Sequence, residues 1–127
     1  MHISKVSIGD KKINVSQPSA KDQMEGANLI FPSLITSKIK FDRSDYDKKL
    51  IMMLLITIPN EVNEKIGKLL LQKAFLAGTE VPVNVETFKG NILQYVELLA
   101  ELIQDNYADV FKWLPSLEKE TSVSPEN

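Results

Sequence analysis

Cysteine is absent from the 127 residues. That excludes disulfides, thiolate metal sites and cysteine nucleophiles, and it fits a reducing cytoplasm. Histidine is nearly absent. The single one, His2, lies beside the N-terminus, where it cannot easily orient a nucleophile within a core. There is no Ser-His-Asp set, no HExxH and no GxxxxGK loop. An enzymatic role therefore has little to stand on, and no cofactor or metal is expected. No charge sign dominates: 15 Lys and Arg face 17 Asp and Glu, a net charge of −2, which argues against a dedicated nucleic-acid binder. The longest apolar run, LIMMLLITI at 50–58, is about half of a membrane span and reads as buried core. The opening MHISKVSIGDKK has no apolar stretch of the secretory-signal kind, so a cytoplasmic location is expected. There is no internal repeat and no long low-complexity segment.

The residues that are present suit a soluble globular domain, with 43% hydrophobic and 25% charged. The length allows one domain with a real core. Residues 1–117 read as a single helical domain and 118–127 as a disordered polar tail. Over about 3–16 the pattern predicts a hairpin. A two-residue loop at Gly9-Asp10 pairs Val6 with Ile13, Ile8 with Lys11 and Ser4 with Val15. Val6, Ile8, Ile13 and Val15 then share one face, and Lys5, Ser7, Lys12 and Asn14 the other.

Helices follow. Ser19 is a candidate N-cap for a first one, which Pro32 ends or kinks. Residues 33–44 are mixed, and Asp42 or Ser44 can cap a second helix over roughly 45–57. That helix is apolar nearly all round, as a central buried element would be. A third follows Pro59 and runs to about Ala77, with Gly78 as its stop. Gly67 and Gly90 suit close packing or a helix start. Residues 79–86 look extended, with Pro82 at a loop or edge position. A last long helix starts after Thr87. The expected fold is mainly α, a compact bundle of about four to five helices with a short N-terminal β-hairpin.

In the last helix, at about 100° per residue, Ile92, Val96, Leu99, Ile103, Tyr107, Val110 and Leu114 fall within an arc of roughly 80°. The phase survives the polar triplet Gln104-Asp105-Asn106, which predicts one continuous helix, softened at most at Asn106. Glu97, Glu101 and Asp105 stand at i, i+4 and i+8, a carboxylate ladder that Asp109 extends. Three readings fit it: a solvated acidic face, a surface for a basic partner, or a metal site. Trp113 points roughly 80° off the centre of the apolar stripe, on the side of Tyr95 and Leu102. It closes the core or anchors a partner. Tyr95, Glu97, Glu101, Asp105 and Trp113 are the candidate partner-binding residues, and the same surface suits self-association into a homo-oligomer. The basic cluster Lys38, Lys40, Arg43, Lys48 and Lys49 is interleaved with Asp42, Asp45 and Asp47. It reads first as solvated surface, with nucleic acid or an acidic protein as alternatives.

The order of features resembles the tail assembly chaperones of long-tailed, lambdoid-type bacteriophages and prophages. The matching stretches are the hairpin KVSIGDKKINV, the proline-led helix start PSAKD at 18–22, ETFKGNI at 86–92 before the last helix, and QDNYADVF at 104–111. The resemblance spans about residues 3–114. Tyr107 stands where phenylalanine is more usual. The resemblance implies a non-enzymatic protein of the host cytoplasm that binds and solubilises the tape measure protein. It also implies that the protein helps tail tube subunits polymerise around that client and is not retained in the finished virion. The chain would be the short form of a pair whose longer member arises by ribosomal frameshifting. Met24, Met52 and Met53 offer adaptable packing for an apolar helix, with the core as the first home of Met52 and Met53. Competing readings are a small protein- or DNA-binding phage or bacterial regulator, an enzyme using the carboxylate ladder, and a structural virion component.

Overall fold

The computed structural model describes residues 3–36 and 48–113, with side chains described except at 34–36. The chain runs β1 (Ile3–Ile8), β2 (Lys11–Ser16), α1 (Ala20–Thr36), α2 (Lys48–Thr57), α3 (Asn60–Leu70), β3 (Ala74–Leu76) and α4 (Ile92–Asn106). A 3-10 turn covers Val85–Phe88 and a further helical stretch covers 108–113. The fold is mainly α with an N-terminal hairpin, as expected. Several sequence expectations lie outside the described residues: caps at Asp42 or Ser44, the 45–47 start of the second helix, Leu114, and the tail.

The hairpin register follows the alternation. Val6 pairs with Ile13, Ile8 with Lys11 and Ser4 with Val15, and Gly9 takes a positive φ of 61° in the turn. Val6, Ile8, Ile13 and Val15 are buried, each stabilising by about 1.5–3 kcal/mol. They lie over α4, which β1 follows closely. The Ser4 hydroxyl donates to Asp105, and a Cβ on Gly9 would meet the Gln94 amide at 2.6 Å. Five strand residues and eleven helix residues both span about 16 Å, so strand and helix stay matched along their length.

Ser19 caps α1, its hydroxyl accepting from Asp22 N at 3.2 Å. Pro32 does not end the helix, which continues to Thr36. On α2 the buried residues are Ile51, Leu54 and Leu55, whereas Met53 and Ile56 are exposed. The element is therefore one-sided, not buried all round. It packs on α4, and α1 packs on α3.

The third helix is shorter than its periodicity suggests. It ends at Leu70, and Leu71 leaves helical geometry at φ −108°. Ala74, Phe75 and Leu76 instead form β3, pairing with Val15, Asn14 and Ile13. The free edge of β2 supplies the hydrogen bonds, and Ala74 packs in the core beside Val15. Beyond the Gly78 turn, Val81 and Val83 bond back to Leu76 and Ala74, and Pro82 bridges Phe75 at the edge.

The last helix also departs from expectation at both ends. Residues 85–88 form a 3-10 turn in which Glu86 N donates to Asn84 Oδ1 and Asn84 N to Thr87 Oγ1. This places Phe88 at 0% exposure in the core. Gly90 at φ 83° turns the chain into α4 at Ile92. At the far end the expected continuity fails: α4 stops at Asn106, and Tyr107 sits at φ −122°, ψ 25°. The helical phase survives because Tyr107 N still bonds Ile103 O and Phe111 N bonds Tyr107 O, both at 3.0 Å. The altered backbone turns Phe111 into the core, where it meets Phe31, and leaves Val110 half-buried.

Candidate functional site

The carboxylate ladder lies on one face of α4, and two of its members, Glu97 and Glu101, share one cation from within the chain. Lys48 Nζ, at the start of α2, sits 2.8 Å from Glu97 and 3.1 Å from Glu101. Asp105 accepts from the Ser4 hydroxyl of β1. The hydrogen bond to Glu97, then that to Glu101, holds the Lys48 ammonium above its ordinary range. Each of the three side chains is about one-third exposed. The face works as a seam joining α2 and β1 to α4. Lys48 was one of the five residues of the basic cluster. Lys49 is exposed, and Lys38, Lys40 and Arg43 lie outside the described residues. Among the described residues no group of three or more His, Cys, Asp or Glu could hold a metal ion. No helix among them is long and apolar enough to cross a membrane.

Tyr95 and Trp113 do not form one patch. They lie on opposite sides of the break at Tyr107, separated by about 25 Å of helix. Trp113 is 55% exposed. Tyr95 is buried beside Phe88, ring centroids 6.0 Å apart. Its hydroxyl rests on α3, where a Cβ on Gly67 would come within 2.3 Å of it.

Around that contact lies a groove of about 680 Å³, bounded by α3, residues 83–85 and the first turns of α4. Its floor is Gly67, Leu71, Val83, Tyr95 and Val96. Val85 and Ile92 form apolar edges, and Asn60, Asn63, Glu64, Lys68 and Asn84 a polar rim. Val85 and Ile92 are 42% and 53% exposed. Exposed apolar edges on a concave apolar floor are the form of a recognition site. The Tyr95 phenol is pushed upward by burial and by the negative charge of Glu64. Like any phenol at neutral pH, the hydroxyl is protonated and can donate.

Sequence reasoning placed Ile92 on the core stripe and missed this groove. The available signal was a glycine inside α3 and a tyrosine on the opposite helix, which only the tertiary pairing brings together.

No family model matches the chain, and neither the curated proteins nor the solved structures compared with it give a match.

Proposed function

We propose that the chain is a non-enzymatic chaperone of phage tail assembly. In this reading it binds and solubilises the tape measure protein, a long and partly apolar helical client, in the host cytoplasm. The observation that carries the reading is the open apolar groove edged by Val85 and Ile92. Such a groove suits the apolar face of an amphipathic helix. The ordered resemblance through KVSIGDKKINV, PSAKD, ETFKGNI and QDNYADVF supplies the client. A DNA-binding regulator is less well supported, because Lys48 of the basic cluster is engaged by Glu97 and Glu101.

The test is co-expression with the tape measure protein encoded by a neighbouring gene. The client's soluble yield rises and the two proteins co-purify if the reading is right. An unchanged yield without co-purification overturns it.

A further inference from the structure

The sheet buries one face and presents the other to solvent. Val6, Ile8, Ile13, Val15 and Ala74 point into the core, and alternation sends their neighbours outward. The register sets Lys5, Asn14 and Phe75 in one rank across the three strands, and Pro82 continues that rank beyond Phe75. Ser7 and Lys12 pair in the next rank. On the other side of the Lys5 rank, Ser16 N bonds Lys73 O, which brings Lys73 beside Ser16. Neighbouring strands lie about 4.8 Å apart, so Lys5 and Phe75 stand about 10 Å from each other.

The three lysines are exposed, and their side chains make no ion pair or hydrogen bond among the described residues. Asp10, in the hairpin turn, is met by Lys11 at 3.7 Å. Phe75 is 37% exposed, and among the described residues it is the only aromatic on this face. Lys5, Ser7, Lys12, Asn14 and Ala77 edge an open hollow of about 220 Å³ beside it.

We propose that the outer face of the sheet binds single-stranded nucleic acid, with Lys5, Lys12 and Lys73 on the phosphates and a base stacked on Phe75. Free cations around an exposed ring on an open sheet are the two parts such binding needs, an electrostatic track and a stacking platform. The Asn14 amide, next to Phe75 in the rank, can donate to and accept from a base edge. The net charge of −2 does not oppose this locally, because Glu97 and Glu101 lie on α4 and are engaged by Lys48. Fields beyond about 10 Å are screened at ordinary salt. A duplex hides its base faces, so the ring favours a single strand. An acidic polypeptide gains from the lysines alone, since the ring's negative π-face repels a carboxylate. The inference is independent of the chaperone reading.

Fluorescence anisotropy with labelled 12-nucleotide oligo-U and oligo-dT, over a salt series starting at low salt, tests it. Both strands are expected to bind saturably, with a log–log salt slope of about −2 for three phosphates. Saturable binding of either supports the proposal, and the tighter one identifies the natural strand. Replacing all three lysines (Lys5→Gln, Lys12→Gln, Lys73→Gln) is expected to weaken binding at least tenfold and flatten the slope. Phe75→Leu is expected to weaken it about five- to tenfold with the slope unchanged, a combination that charge attraction alone would not give. Lys49→Gln, an exposed lysine on α2 away from the sheet, binds as wild type. Urea midpoints confirm that the variants fold, and the lysine variant tests the face even if Phe75→Leu does not. No binding of either strand at low salt overturns the proposal. So does loss of binding in Lys49→Gln equal to that in the lysine variant. Equal affinity for a 12-bp duplex, for poly-glutamate or for phosphatidylserine vesicles would also overturn it, because the face would then be reading charge and not bases.

Discussion

The Tyr107 hydroxyl lies against Gly26 and donates a 2.8 Å hydrogen bond to the carbonyl of Gln23. This contact fastens the end of α4 to α1, and the Phe31 ring meets Tyr107 edge-on beside it. In an exposed helix Gly→Ala would stabilise by about 1 kcal/mol. Here the new Cβ would stand 2.3 Å from Oη, and the ring is too buried to swing away. Gly26→Ala is expected to destabilise by about 1–3 kcal/mol through overpacking. In a Tyr107→Phe background the clash is gone, so the alanine costs much less. Urea midpoints for the four proteins measure the coupling. Strict additivity of the two changes would show that the contact does not exist.

Lys48→Met removes the cation between Glu97 and Glu101 and leaves like charges one turn apart. The expected loss is about 0.5–1 kcal/mol, kept small by partial exposure, and smaller still in high salt. The Lys48 pKa is raised in the folded state. Its contribution is therefore fully present below the ordinary lysine pKa and is lost as pH rises above it. The gap between wild type and Lys48→Met in urea should hold constant from neutral pH to about pH 10 and then close. A gap that instead widened with rising pH would contradict the ion pair.

The local parts of this fold were legible in the sequence, and the non-local ones were not. The hairpin register could be read because Val6, Ile8, Ile13 and Val15 alternate strictly about a Gly-Asp turn. The third strand could not. Ala74 falls four residues after Leu70 and continues a helical stripe as well as it fills a sheet position, and its partner Val15 is far away in sequence. The break at Tyr107 was hidden because the hydrogen bonds on either side of it keep the phase. The carboxylates were correctly placed on one face, but their cation came from α2, at no readable spacing. Ile92 satisfied the stripe's geometry yet lies beyond the reach of the core at the first turn of α4, where it edges the groove.

Alkaline pH should find a weak point at Tyr107, whose phenol is pushed up to about 12 by burial. The folded state keeps a proton that the unfolded chain releases from about pH 10. This contribution to stability is intact below pH 10 and falls away between about 10 and 12. Tyr107→Phe is expected to be less stable than wild type at neutral pH by about 1 kcal/mol, for the lost hydrogen bond. Its stability should fall less steeply in that alkaline window. Parallel alkaline limbs for the two proteins would refute the assignment.

Asn106 offers a test by sign. It is the last residue of α4, its Nδ2 donating to Leu102 O at 2.8 Å and its Oδ1 accepting from Gln23 Nε2 at 3.0 Å. At an ordinary exposed helical position Asn→Ala stabilises by about 0.6 kcal/mol, because alanine is the better helix former. Here the same change removes a cross-helix hydrogen bond to α1 and a bond back onto the helix just before the break. Each is worth about 1 kcal/mol, so Asn106→Ala is expected to destabilise by about 1–2 kcal/mol after the propensity gain. Thermal and urea unfolding should agree on the sign. A stabilised variant would mean that the end of α4 is held by the Tyr107 hydroxyl and the Phe31–Phe111 contact, with the polar triplet contributing nothing to the join.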